Sequence, residues 1–195
     1  MALHHPLLLY APTFRDDFEK THIVDYSCFD VDFEKVHQTV TKKFGGEWVI
    51  LVKFHPIMQR FIDEKRYFQL EYVKNVTSFS KMQAMLAAAD VVLTDYSSLI
   101  FDAVIAGIPS FTLCLDYEQY KVQQDLYFDM KELPFPFASS NTELIYNMER
   151  FDSTEYEKAC HAFAARWGII ESGHASKDIS EKIMSYLKEG TVKWD

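Results

Sequence analysis

Six side chains in three separated segments have the types needed to hold a phosphate or diphosphate. They are Thr13 and Arg15 in Pro12-Thr-Phe-Arg15, Lys53 and His55 in Lys53-Phe-His-Pro56, and Ser97 and Ser98 in Asp95-Tyr-Ser-Ser98. Arginine offers a planar fork of donors, lysine a point charge, serine and threonine hydroxyls that donate, and histidine a proton that moves near neutral pH. The run from Asp90 to Asp102 reads as a buried strand, a hydroxyl-rich turn and the start of a helix. A helix that begins where a parallel strand ends points free N–H groups and a positive end into the crevice above the sheet. Each residue also has a plainer reading. Asp95 or Ser97 serves as an N-cap, Arg15 pairs on the surface with Asp16 or Asp17, Lys53 sits on a solvated edge, and His55 is a core histidine bonded to a carbonyl. Their joint placement is what favours a ligand site.

The elements must bring those segments together. Apolar β-prone runs at Leu7–Ala11, Trp48–Phe54, Asn75–Phe79, Val91–Thr94 and Ser110–Leu115 alternate with helical patterns. The helices are expected over Asp32–Phe44, Ile57–Lys65, a stretch from Ser80 through Ala89, and Leu99–Ala106, with Gly45-Gly46 and Gly107 as stops. This alternation implies an α/β fold, a Rossmann-like doubly wound parallel sheet with right-handed crossovers. With strand order 3-2-1-4-5, ligands bind at the switch point between the first and fourth strands. All three polar segments lie at or beside that point. Asp116 to Ser140 reads as irregular. Three helices follow, over 141–151, 154–167 and 175–188, with Ser140 and Glu143 as a capping box. Residues 1–140 are expected to form the core, with 141–195 as helices packed on the same domain.

The chain's 195 residues are 48% hydrophobic, enough for one domain. No apolar run approaches the ~20 residues of a membrane span, and the start has neither a basic region nor a small-residue cleavage site. Three widely spaced cysteines read as buried thiols of a reducing compartment. The net charge of −9 disfavours a nucleic-acid partner. The sequence holds no Gly-x-Gly-x-x-Gly or P-loop pattern and no metal-ligand spacing of histidines, so no metal or cofactor is expected. A Ser–His–Asp triad would need a nucleophile elbow that the sequence lacks.

Four motifs in order carry a family resemblance. They are Tyr10-Ala-Pro-Thr-Phe-Arg-Asp-Asp17, Lys53-Phe-His-Pro56, Leu86-Ala-Ala-Ala-Asp-Val-Val-Leu-Thr-Asp-Tyr-Ser-Ser-Leu-Ile-Phe-Asp102 and Asp116-Tyr-Glu-Gln-Tyr120. Together they resemble the CDP-glycerol glycerophosphotransferases, the teichoic-acid primases and polymerases. The resemblance runs from Leu7 to Ser176. It implies the C-terminal, nucleotide-binding half of a GT-B architecture, so that residues 1–140 bind CDP-glycerol or a related CDP-alditol. It further implies that Arg15, His55, Ser97 and Ser98 face the diphosphate and that Asp95 and the Ser78–Gln83 region lie toward the nucleotide. Taken with the convergence of the three segments, His55 and Arg15 are expected to be catalytic and Thr13, Lys53, Ser78, Asp95, Ser97 and Ser98 to bind substrate. An acceptor hydroxyl would attack the β-phosphate and expel CMP. The acceptor, linked to a polyprenyl diphosphate, would be met through an N-terminal domain that this chain lacks. The full-length enzyme would lie at the cytoplasmic face of the cell membrane. The family's Arg-Gly pair after Tyr120 stands here as Gln124-Asp125. A noncatalytic nucleotide-binding module and a GT-B enzyme using a UDP-sugar are the alternatives.

Overall fold

The computed structural model describes residues 5–15 and 25–189. Six short strands form one parallel sheet: β1 Leu7–Tyr10, β2 Val49–Val52, β3 Val73–Asn75, β4 Val91–Thr94, β5 Ser110–Leu113 and β6 Phe137–Ala138. Their order is β3-β2-β1-β4-β5-β6. The register pairs Leu9 with Leu51 on one side and with Val92 on the other. The expected order is therefore observed, with β6 added at the edge. Leu8, Leu9, Ile50, Val92, Leu93 and Phe111 are inaccessible to solvent. Strands covered on both faces read as continuous apolar runs, which is why these segments showed no alternation.

Helix α1, Phe33–Phe44, opens on Asp32, whose carboxylate accepts from Lys35 N. It buries Val36 and Val40 and ends at Gly45, where φ is +74°. Helix α2 is a single turn, Glu64–Tyr67. The helix expected over Ile57–Lys65 is divided into a 3₁₀ turn at Pro56–Arg60 and this turn. Asp63 separates the two, because its carboxylate accepts from both Lys65 N and Arg66 N. The third strand lies earlier than expected, at Val73–Asn75, since Thr77 and Phe79 give their carbonyls to a lysine ammonium instead of a ladder. Helix α3, Met82–Ala88, takes Lys81 as its N-cap residue with no side-chain cap bond, so Ser80 is not its cap. Helix α4 spans Leu99–Ile105.

The stretch read as irregular after Asp116 contains helix α5, Tyr117–Gln123, a 3₁₀ turn at Met130–Glu132 and β6. None of the three has the length or the apolar periodicity that sequence reading relies on. Helix α6, Asn141–Glu149, packs against α1, β5 and β6. Ser140 Oγ accepts from Glu143 N at 3.2 Å, while the Glu143 carboxylate reaches Ser139 rather than Ser140. Helices α7, Ser153–Trp167, and α8, Ala175–Glu189, follow. The chain divides into two compact units, Met1–Cys160 and His161–Asp195, so α6 belongs with the sheet. Among the described residues no helix is long and apolar enough to cross a membrane.

Phe111, on β5, packs its ring 5.1 Å from that of Phe151 and is fully buried. Phe111→Ala is expected to cost about 3–5 kcal/mol, read as a lower urea midpoint with an unchanged slope.

Candidate functional site

The switch point between β1 and β4 opens into a cleft of about 540 Å³. Its walls are Ala11–Phe14 after β1, Lys53–Pro56 after β2, Tyr96–Ser98 after β4, and Met82 from α3. Thr13, Lys53, His55, Ser97 and Ser98 therefore meet as the sequence predicts. The backbone seams are tight. Ala11 N donates to Leu93 O, Lys53 N donates to Tyr10 O, and Thr94 Oγ1 donates to Ala11 O.

Lys53 is 7% exposed, so it is not on a solvated edge. Its Nζ donates to Thr77 O at 3.1 Å and to Phe79 O at 2.8 Å. Burial lowers its pKa. An ammonium carries three protons, and two of them fix the Val76–Phe79 turn against the cleft wall. Ser78 lies on that turn, exposed, outside the cleft lining.

His55 is exposed at the cleft mouth, its ring 5.5 Å from that of Phe14. As the residue opening the Pro56–Arg60 turn, it accepts from Ile57 N through Nδ1 at 3.3 Å. A backbone N–H can only donate, so Nδ1 is the unprotonated nitrogen. The neutral ring then carries its proton on Nε2.

Ser97 Oγ accepts from Leu99 N at 3.3 Å, and Ser98 makes no side-chain cap bond. The Ser98 hydroxyl is therefore not consumed by the helix it opens. Helix α4 has only seven residues, so its dipole is a small contributor and the hydroxyls matter more.

Arg15 has a different setting from the one expected. Its Nε and Nη2 form a fork on Asp116, at 2.7 and 3.1 Å, and Nη1 donates to Asp95 Oδ2 at 2.9 Å and to Thr13 O at 2.6 Å. Its side chain is 13% exposed, and it is not in the cleft lining. The guanidinium thus faces carboxylates, not the space where a phosphate would sit. Asp16 and Asp17, its surface partners in the plainer reading, lie outside the described residues. Burial opposes the charge on Arg15, but Asp95 and Asp116 more than offset this and push its pKa up.

Asp95 is likewise not a free ligand for a nucleotide. Its carboxylate also accepts from Thr13 N at 2.7 Å, and its side chain is 2% exposed. Burial pushes its pKa up, with Arg15 and Thr13 acting against the rise.

Two aromatic rings complete the cluster. Tyr96 and Tyr120 stack at 3.7 Å with 4° between their planes. The guanidinium carbon lies 4.9 Å from one ring centre and 5.0 Å from the other. Equal distances to two parallel rings place it beside the stack, not over a face. What links it to the tyrosines is therefore Asp116, whose Oδ1 accepts from Tyr96 Oη at 2.9 Å, rather than a cation–π contact. Asp116 and Tyr120 went unassigned in the sequence reading. The signal was their four-residue spacing, which puts a carboxylate and a ring on one helix face.

Arg15→Ala would leave two poorly solvated carboxylates without their cation. We expect a loss of about 3–5 kcal/mol at neutral pH, measured by chemical denaturation. The sign with pH follows from Asp95. Removing Arg15 raises its folded pKa further above the unfolded value, so the folded state holds the extra proton and stability falls as pH rises. The deficit of the variant should therefore be smaller at pH 5 than at pH 8.

Comparison with known proteins places this geometry. Residues 2–185 match the family described as CDP-Glycerol:Poly(glycerophosphate) glycerophosphotransferase. A teichoic acid glycerol-phosphate transferase of Staphylococcus aureus (strain NCTC 8325 / PS 47) is 30% identical over 187 residues, covering 94% of this chain and 46% of that protein. A teichoic acid glycerol-phosphate primase of Bacillus subtilis (strain 168) is 28% identical, over 89% of this chain and 42% of that protein. The wall teichoic acid polymerase TagF superposes with a TM-score of 0.68 at 26% identity, over 96% of this chain and 44% of TagF. A TagF variant soaked with CDPG superposes at 0.66. A UDP-GlcNAc 2-epimerase from Neisseria meningitidis shares the fold alone, at 0.52 and 15% identity. The chain spans less than half the length of these relatives. With its family match over nearly all of its residues and the switch-point cleft where residues of three of the four motifs meet, this chain belongs to the CDP-glycerol:poly(glycerophosphate) glycerophosphotransferase family.

Proposed function

We propose that this chain is the donor-binding part of a glycerophosphotransferase, and that the cleft between β1 and β4 takes the diphosphate of CDP-glycerol or a related CDP-alditol. The observation that carries this reading is the convergence of Thr13, Lys53, His55, Ser97 and Ser98 on one cleft in a member of this family. Each group has a part. Ser97 and Ser98 donate to phosphate oxygens. Lys53 brings a buried positive charge and holds the Val76–Phe79 turn. His55 presents Nε2–H toward the phosphoryl group, where it steadies charge on the leaving CMP. Arg15 stands behind the wall and keeps it in place.

The transfer itself is attack of an acceptor hydroxyl on the β-phosphate. The new P–O bond forms as the bond to the CMP oxygen breaks, and the hydroxyl proton leaves to a base. Such a reaction is served chiefly by positioning and charge stabilisation. The acceptor, a hydroxyl carried on a polyprenyl diphosphate at the cytoplasmic face of the membrane, would approach from a second domain that closes the cleft and excludes water. The described residues supply the wall formed by the ends of one sheet. The chain should bind donor without turning it over until that second domain is supplied.

The fold is shared with UDP-sugar enzymes, so the test is a ligand panel. CDP-glycerol at about 100 times its Kd should stabilise the protein by roughly 2.7 kcal/mol, visible as a rise in Tm. UDP and UDP-sugars should give less. A larger response to UDP-sugars than to CDP-glycerol would transfer the chain to the other class. His55→Ala should weaken CDP-glycerol binding about tenfold, the worth of one charge-assisted hydrogen bond. The exposed ring makes few packing contacts to lose, so the Tm of the free protein should hardly move. Unchanged affinity would remove His55 from the site.

A further inference from the structure

We propose that Asp116 and Tyr120, neither of which lines the cleft, are positioning residues that set the Tyr96–Ser98 turn for the donor's phosphates. The inference rests on the donor-binding reading above and adds helix α5 to the machinery. The turn is short of local support. Its second serine makes no cap bond, and α4 beyond it has seven residues. Beyond Ser97 Oγ accepting from Leu99 N and the backbone bonds of the helix start, the side-chain links that hold the turn come from outside it. Tyr96 is clamped through its hydroxyl by Asp116 and through its ring by Tyr120. Asp95, one residue earlier, is held by Arg15 and by Thr13 N. Arg15 is in turn forked on Asp116. The links close into a ring that ties the loop after β1, the turn after β4 and helix α5 into one unit. Asp116 sits at the N-terminal boundary of α5 without capping it, so its carboxylate serves Arg15 and Tyr96 rather than its own helix.

The geometry also says which variants leave the fold standing. Asp95 and Asp116 share one guanidinium. Asp116→Asn leaves Arg15 and Asp95 as a compensated pair and keeps the shape of the side chain. Tyr96→Phe keeps the stack and removes the link to Asp116.

The test uses the whole chain in four forms: wild type, Tyr96→Phe, Asp116→Asn and the double variant. Calorimetric titration with CDP-glycerol reads the Kd, and amide hydrogen exchange of the unliganded protein reads the turn. Each single variant should lose about tenfold in affinity, the order of a lost hydrogen bond to a charged group. The double variant should lose little more than Asp116→Asn alone, because Asp116→Asn takes the charge from the acceptor of the Tyr96 bond and Tyr96→Phe takes its donor, so that both act on the same link. Exchange at residues 97–100 should speed up in all variants, while β1 and β2 amides stay as protected as in wild type. Tyr120→Leu should speed exchange at the same residues. Additive losses, or faster exchange with unaltered affinity, would overturn the positioning role, as would variants with wild-type exchange. If the wild type does not bind CDP-glycerol, the donor-binding reading falls, and wild-type exchange in the variants would independently refute the clamp.

Discussion

A buried guanidinium shared by two carboxylates is the constraint on which the cleft depends. Ordinarily an ion pair removed from water recovers little net stability, because desolvation costs about as much as the attraction returns. Here the arrangement holds an excess of one carboxylate over cations, with Asp95 nearly inaccessible and Asp116 only partly exposed. That is an expensive way to fill a core, and an apolar cluster would do as well for stability alone. What the charges supply is direction. Asp116 accepts a fork from Arg15 and a hydroxyl proton from Tyr96, and Asp95 accepts from Thr13 N and Arg15. Each bond fixes an angle that hydrophobic contact would leave loose. The loops they fix are the two that form the cleft floor.

The parallel sheet explains why this bracing is needed. Strands β1 and β4 lie side by side, but the chain leaves them in opposite directions across the sheet, which is what opens a crevice at the switch point. Among the described residues, the last backbone bond between the loop after β1 and β4 is Ala11 N to Leu93 O. Above that bond the connection is made by side chains: Thr94 to Ala11 O, Asp95 to Thr13 N, and Arg15 to Asp95. Lys53 does the same on the neighbouring side, where its ammonium replaces the strand pairing that Thr77 and Phe79 would otherwise make.

Much of this was legible in the sequence, and the parts that were not share a cause. The strands Leu7–Tyr10, Val49–Val52 and Val91–Thr94 announce themselves because burial on both faces demands unbroken apolar runs. The switch point then follows from topology. Thr13, Lys53, His55, Ser97 and Ser98 were placed because each lies in the first few residues after the C-terminal end of a strand. Arg15 was misplaced because residue type alone cannot say whether a guanidinium meets a phosphate or a carboxylate. Its partners, Asp95 and Asp116, lie 80 and 101 residues away. Helix α5 and strand β6 were missed because two turns of helix and a two-residue strand are specified by tertiary contacts rather than by pattern. The shift of β3 toward Val73 has the same origin: a distant ammonium outcompetes local β-propensity for the carbonyls of the Val76–Phe79 turn.

The charge balance bears on how the proposed diphosphate site is built. The chain carries a net −9, and the Arg15 cluster behind the floor adds its own uncompensated carboxylate. Among the described residues that line the cleft, Lys53 is the one fixed cation, and its charge is already turned toward two carbonyls. The cleft is thus built from hydroxyls, an imidazole N–H and one lysine, not from a cluster of positive charges. Neutral donors hold an anion by geometry, since each contributes only when its hydrogen lies near the line to an oxygen. A point charge tolerates ångström errors that a hydroxyl does not. On the proposed reading, a site of this composition needs its turn held rigidly before the ligand arrives, and the buried network that engages Arg15 is placed to do so.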